Sequence, residues 1–396
     1  MSKNFEHLLS RRTQNMKNNA IRNILKVVSQ PGMISLAGGI PAEESFPLEQ
    51  MYVINEAVLN KYGADALQYD LTEGFTPFRH ALVDYVARKG IHVTHDQLMV
   101  FNGSQSVLDT IAKILITPGD NVALESPSYL GAISAFNAYE PNYVSIETDE
   151  NGIVPESLDN LLATNTIKFI YLVTTFQNPT GRTLSLERRE AIADIVKKHN
   201  ALVVEDDPYG ALRFRGEPVP PLYTYAPANV IYSSTLSKIF APGLRLGFCT
   251  APELLRDWLN TAKQGADLHT NTYAQALATE YLTGGYIDEQ LPRIIDLYRP
   301  RQEAMLNAMD AYLPDTYKWE QPEGGMFIWV EGPNGVDAED IYWKAVENKV
   351  AFVPGKFFYL NDGEGLGTMR LNFTKINEAT IENAIKTLGE VIHQYG

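Results

Sequence analysis

Strand-like and helical runs alternate along the middle of the chain, and this alternation limits the possible fold more than any other feature. Residues 98–101, 121–125, 168–173, 201–205 and 229–232 are short, apolar and rich in β-branched or aromatic side chains. A helical pattern starts directly after the first, and another spans 186–199 between the third and fourth. Such a succession predicts an α/β fold with an open, doubly wound sheet. Ligands of these sheets lie just beyond the strand ends.

The residues that follow the strands are therefore the candidates for a site. Gly103, Ser104 and Gln105 open the first helix, where unpaired N–H groups and the helix dipole favour an anion, although many such starts bind nothing. Tyr129, in E-S-P-S-Y-L-G, is placed to stack on a flat ring or simply to cover the core. Asn178, in T-T-F-Q-N-P-T-G, could donate to a ring oxygen, and Asn-Pro is equally an ordinary turn signal. Glu205, Asp206 and Asp207 cluster at a strand end with Tyr209 close behind, which taken alone suits a metal or a solvated turn. Neighbours in a strand alternate faces, so Asp206 should point away from the other two.

The most informative stretch is 233–247, S-S-T-L-S-K-I-F-A-P-G-L-R-L-G. It offers hydroxyls on Ser233, Ser234, Thr235 and Ser237, read as a polar turn, and Arg245 after a Pro-Gly bend. Hydroxyls, backbone N–H groups and an arginine at one spot suit a phosphate. Lys238, flanked by Leu236, Ile239 and Phe240, is expected to be desolvated and partly deprotonated, and such an amine condenses with aldehydes. A phosphate cradle beside that lysine points to pyridoxal 5'-phosphate.

Composition narrows the partners. The 396 residues suffice for two or three domains, and a formal charge of −15 argues against nucleic acid and anionic membranes. Cys249 is the single cysteine, so no internal disulfide forms, and a reducing, cytoplasmic setting is expected. The N-terminus M-S-K-N-F-E-H-L-L lacks the apolar core of a signal peptide, and no run approaches a membrane span. The seven histidines show no metal-ligand spacing, so no metal is expected.

T-L-S-K followed by A-P-G-L-R-L-G, together with N-P-T-G and D-x-x-Y, resembles the class I/II aminotransferases, the fold-type I pyridoxal phosphate enzymes. I-R-N-I-L-K and A-G-G-I-P bring the resemblance to the branch of 2-aminoadipate, aromatic and kynurenine aminotransferases. It implies a mainly parallel seven-stranded sheet in a large domain (46–295), a smaller α+β domain (296–396), and an N-terminal arm and helix (1–45) that joins the small domain. It further implies Lys238 as the cofactor lysine and proton carrier, Asp206 against the pyridine nitrogen and Tyr209 against the ring hydroxyl. Ser104, Gln105, Thr235, Ser237 and Arg245 would form the phosphate cup, with Tyr129 and Asn178 on the ring.

The same resemblance assigns the substrate side. Gly39, in a Gly38-Gly39 loop that is otherwise a plain turn, would close over the substrate carboxylate. Arg370, in G-T-M-R-L-N-F, would hold that carboxylate, and the apolar Met369, Leu371 and Phe373 argue against full exposure. Tyr69, with Gly74 in Y-x-x-x-x-G, would cross a homodimer interface to the partner's cofactor phosphate; without the resemblance it is a buried aromatic. Arg22, in a helix suggested by Ile21, Ile24, Leu25 and Val28, would meet the side-chain carboxylate of acidic substrates or remain solvated.

The expected activity is transfer of an amino group from an aromatic, 2-aminoadipate or other α-amino acid to a 2-oxo acid, 2-oxoglutarate foremost. A β-elimination lyase would share every cofactor residue and would release ammonia. A non-catalytic pyridoxal-phosphate-sensing regulator is the other alternative, and the segment ahead of the glycine loop is too short for a helix-turn-helix. Residues 254–282 read as continuous helix, 338–348 as helix, 325–330 and 369–373 as strands, and G-E-G-L-G at 363–367 as a surface loop because it lacks the strand and helix of a dinucleotide motif.

Overall fold

The computed structural model describes residues 5–16, 24 and 31–395. Its centre is a seven-stranded sheet: β1 (Leu98–Asn102), β2 (Asn121–Glu125), β3 (Asn142–Ile146), β4 (Ile167–Leu172), β5 (Val203–Asp207), β6 (Val230–Thr235) and β7 (Leu246–Thr250), in spatial order β1-β7-β6-β5-β4-β2-β3. All neighbours are parallel except β7, which runs antiparallel to both β1 and β6. Strands buried on both sides must be apolar throughout. Val100, Phe101, Val122, Leu124, Phe169, Ile170, Val203 and Val204 are accordingly buried.

Helices cover the sheet. They include α1 (Leu48–Tyr62), α2 (Thr76–Ala87), α3 (Ser104–Leu115), α4 (Leu130–Asn137), α5 (Pro155–Thr164) and α6 (Leu186–Lys198). In α3 the buried Val107, Leu108, Ile111 and Ala112 share one face, which is what seats this helix on the sheet with its N-terminus at the end of β1.

Two expectations need correcting. Ser233, Ser234 and Thr235 belong to β6 and do not form a polar turn. Alternation sends Ser234 to the face opposite its neighbours, where its hydroxyl donates to the Asp207 carbonyl, so backbone pairing extends the strand through a polar run. The continuous helix over 254–282 is two helices, α7 (Glu253–Asp267) and α8 (Thr272–Thr283). Leu268 at φ +64° breaks the first, and Asn271 caps the second by accepting from the Ala274 N–H.

The long helix α9 (Tyr286–Tyr312) contains Pro292 and Pro300 and joins this sheet to a second layer. That layer is a four-stranded antiparallel sheet of β8 (Lys318–Trp319), β9 (Phe327–Glu331), β10 (Val353–Pro354) and β11 (Thr368–Asn372), ordered β8-β9-β11-β10. Helices α10 (Ala338–Glu347) and α11 (Glu378–Tyr395) cover it. Residues 34–45 are tied to the same layer. Ile34 and Ser35 pair with Val350 and Ala351, the Asn372 N–H donates to Leu36 O, and Thr374 Oγ1 donates to Ile40 O. From α9, Gln290 donates to Ser45 O and Tyr298 accepts from the Ala42 N–H.

Most of the expected N-terminal helix lies outside the described residues; Ile24, which is described, is helical and buried. Among the described residues no helix is long and apolar enough to cross a membrane, and no cluster of His, Cys, Asp or Glu could hold a metal ion. Gly363–Gly367 forms turns at the surface.

Candidate active site

A cavity of about 260 Å³ opens beyond the ends of β1, β4, β5 and β6. Ser104, Gln105, Thr235, Ser237 and Arg245 line it, and so do Tyr129, Asn178, Asp206 and Tyr209. Gly39, Lys238 and Arg370 complete it. Of the residues singled out from the sequence, Tyr69 lies elsewhere, exposed in a second surface depression with His269 and Thr272, and Arg22 lies outside the described residues.

Strand register sorts the acids. Asp206 pairs with Ser233 and Asp207 with Ser234 across β5 and β6, so the two carboxylates leave opposite faces. Asp206 lines the cavity. Its Oδ2 accepts from the Tyr171 hydroxyl at 3.0 Å, and its Oδ1 is buried without a hydrogen-bond partner. Burial pushes this carboxyl up to about 7, against the Tyr171 hydrogen bond, with the charge of Asp207 adding to the rise. On the other face Asp207 pairs with Lys89 at 2.6 Å and accepts from Tyr232 at 2.7 Å. Glu205 is a structural acid, accepting from Thr174 and from the N–H groups of Leu222 and Tyr223.

The phosphate-like end is built by close backbone approach. Thr235 Oγ1 donates to Leu246 O and accepts from the Ser237 N–H, which fixes the turn after β6. Arg245 has φ +56° and lays its guanidinium along the β1–α3 junction, 3.4 Å from Asn102 O. A Cβ on Gly103, whose φ is +81°, would collide with that guanidinium, and one on Gly247 would collide with the Gly103–Ser104 peptide. Both glycines are therefore required if the arginine and the start of α3 are to meet.

Lys238 is partly accessible from the cavity, and its Nζ donates to Gly39 O at 2.8 Å. Burial first, then the charges of Arg370 and Arg245, bring its amine down to about 8. Arg370 is buried between the rings of Phe327 and Phe358, its Cζ 4.3 and 4.9 Å from their centroids. It donates to Asn178 Oδ1 at 2.9 Å and to Ala37 O at 2.7 Å. Asn178 donates in turn to Tyr209 Oη at 3.2 Å. Burial lowers Arg370 to about 10, so it stays cationic at neutral pH.

The cavity lining offers donors for an anion, an orphaned carboxylate oxygen and a buried arginine. An amine poised near neutrality stands among them. These features fit a ligand with a phosphate, a protonatable ring nitrogen and an aldehyde. Residues 33–388 match the family described as aminotransferase class I and II.

The chain belongs to that family. This aminotransferase is pyridoxal-phosphate-dependent. It is 42% identical, over 98% of its length and 95% of the relative's, to aromatic-amino-acid aminotransferase 1 of Thermococcus litoralis. It is 38% identical, over 94% of its length and 93% of the relative's, to the 2-aminoadipate transaminase of Thermus thermophilus. In structure it superposes on the kynurenine aminotransferase of Pyrococcus horikoshii, solved in complex with PMP, at a TM-score of 0.94 and 40% identity over 98% of each chain.

Several residues of the site in this aminotransferase carry little signal in its sequence. Tyr171 sits inside an apolar strand, and only its hydroxyl in a strand buried on both faces signalled a partner. Phe327 and Phe358, which sandwich Arg370, come from separate segments and gave no local signal. Pro208 and Pro242 also line the cavity.

Proposed function

We propose that this aminotransferase moves the amino group of an aromatic, 2-aminoadipate or other α-amino acid to a 2-oxo acid, with 2-oxoglutarate as acceptor. The observation that carries the substrate reading is Arg370, a buried cation whose Nε lacks a partner and whose other nitrogens are fixed by Asn178 and Ala37. A planar fork held this way suits the α-carboxylate common to all amino acids. The aromatic and aminoadipate range is supported by the relatives' names.

In this reading Ser104, Gln105, Thr235, Ser237 and Arg245 hold the cofactor phosphate. Tyr129 would cover the ring, Asn178 and Tyr209 would address its hydroxyl, and Asp206 Oδ1 would keep a proton on its nitrogen. Bound pyridoxal phosphate supplies an electrophilic carbon for the substrate amine and a ring that accepts electrons from the α-carbon. Lys238 would anchor the cofactor through its Nζ, and that amine is placed to take a proton from the substrate α-carbon as general base. The same Nζ would give that proton up again as general acid. Gly39, tethered to the small layer, closes the entrance; even a Cβ there would stand 3.2 Å from Phe327.

The reading includes a homodimer in which Tyr69 reaches the partner's phosphate. It is supported by an exposed set of Leu48, Tyr52, Leu67, Tyr69 and Leu71. It includes Arg22 at the distal end of the substrate, a division into large (46–295) and small (296–396, with 1–45) domains, and a cytoplasmic home. Half-reactions of purified protein with each common amino acid, followed by absorbance, test it. Conversion to the amine form of the cofactor, reversed by 2-oxoglutarate, is expected; ammonia release without that conversion would establish a lyase instead.

A further inference from the structure

Asp206 holds one oxygen toward the cavity and gives the other to a tyrosine. Tyr171, in β4, donates to Oδ2, and both side chains are almost fully buried. Register sets up the contact: Tyr171 pairs with Val204 across β4 and β5, and Asp206 follows Val204 by two residues on the same face. The tyrosine ring is clamped. Phe136, from α4, stands edge-on to it at 5.7 Å and is itself backed by Phe169 at 5.3 Å. Because α4 starts directly after Tyr129, the clamp and one wall of the cavity belong to a single segment.

A buried carboxylate with both oxygens free would turn about its terminal torsion and would be drawn toward protonation. One donor on Oδ2 stops the rotation and favours the charged form. We propose that Tyr171 is a positioning residue for Asp206, fixing the carboxylate so that Oδ1 alone faces the cofactor's ring nitrogen. This rests on the assignment of Asp206 made above.

The other groups around the carboxylate do not replace this one. Tyr129 and Tyr209 face Asp206 closely enough to feel its charge, and Lys238 and Arg370 line the same cavity. Asp207, the nearest like charge, is on the opposite face and is matched by Lys89 at 2.6 Å. Tyr171 is thus the neutral donor that stabilises the Asp206 charge before the cofactor arrives.

The test titrates apo-protein with pyridoxal phosphate across pH, reading binding by fluorescence, for the native chain, Y171F, D206N and the double variant. Y171F is expected to weaken binding about tenfold and to move the acidic limb of the binding profile up by about one pH unit. D206N is expected to weaken binding further, and adding Y171F to it should change little, because the two act through one carboxylate. An equal loss from Y171F in both backgrounds, with the acidic limb unmoved, would mark Tyr171 as a packing residue and overturn the proposal. So would an unchanged Y171F beside a weakened D206N. If D206N itself binds normally, the assignment of Asp206 falls first and the proposal with it. F136L, which loosens the clamp and keeps the hydroxyl, gives a second arm should Y171F not fold. It is expected to shift the acidic limb in the same direction, and an unmoved limb would count against the proposal.

Discussion

The Nζ of Lys238 donates to the carbonyl oxygen of Gly39, 199 residues away, at 2.8 Å. The contact joins the turn after β6 to the glycine loop anchored on the small layer. It also gives the amine a fixed partner in a setting that disfavours its charge. With the amine near 8, about one molecule in ten carries it unprotonated at pH 7, against roughly one in three thousand for an ordinary lysine. The rate at which apo-enzyme captures pyridoxal phosphate should therefore rise about tenfold between pH 7 and pH 9 and then level off. Stopped-flow absorbance measures it, and a rate still climbing steeply at pH 10 would mean the amine is not depressed.

The Gly103–Arg245 approach makes a sharper demand. Gly103→Ala puts a methyl where the guanidinium lies and strains a left-handed backbone, at about 1–3 kcal/mol. Cofactor affinity should fall at least tenfold by equilibrium dialysis, and Arg245→Ala should match it. Normal affinity in Gly103→Ala would show that Arg245 does not need this seat.

Arg370→Lys keeps the charge and loses the fork. A lysine ammonium is a point charge without the planar fork that Arg370 presents to Asn178 Oδ1 and Ala37 O. A loss of about 10–100-fold in kcat/KM is expected, and it should be similar for every amino donor because the α-carboxylate is common to them all. A loss confined to acidic donors would assign Arg370 to the side chain instead.

Behind the sheet, the part-buried Lys89 pairs with the buried Asp207 beside Tyr232. Burial opposes the charge of Lys89, but Asp207, then Tyr232 and Tyr85, hold its ammonium well above the ordinary lysine range. Lys89→Met leaves Asp207 without its cation and should cost about 3–5 kcal/mol of stability. Urea unfolding with an unchanged slope measures it; a change below about 1 kcal/mol would mean water or Tyr232 suffices.

Which parts of this were legible in the sequence follows from the range of the interactions. The β5 run A-L-V-V-E-D-D predicted its own two-faced acids, because alternation is a property of one strand. Lys238, Arg245 and Asn178, which all line the cavity, stood out because their chemistry lies within a few residues of a turn. The polar run Ser233–Thr235 misled, since side-chain polarity suggests a turn while backbone pairing with β5 and β7 keeps it extended. The break at Leu268 was invisible, because a leucine at positive φ carries no local signal. Tyr171 and the Phe327–Phe358 sandwich become visible only when separate strands and loops meet.

Everything proposed for the site depends on Lys238 bearing the cofactor. Reducing the holoenzyme with borohydride, digesting it and mapping the pyridoxyl mass by tandem mass spectrometry tests this directly. The account predicts the label on the Lys238 side chain and its loss in Lys238→Ala. A label on another lysine, or none on protein saturated with pyridoxal phosphate, would contradict it.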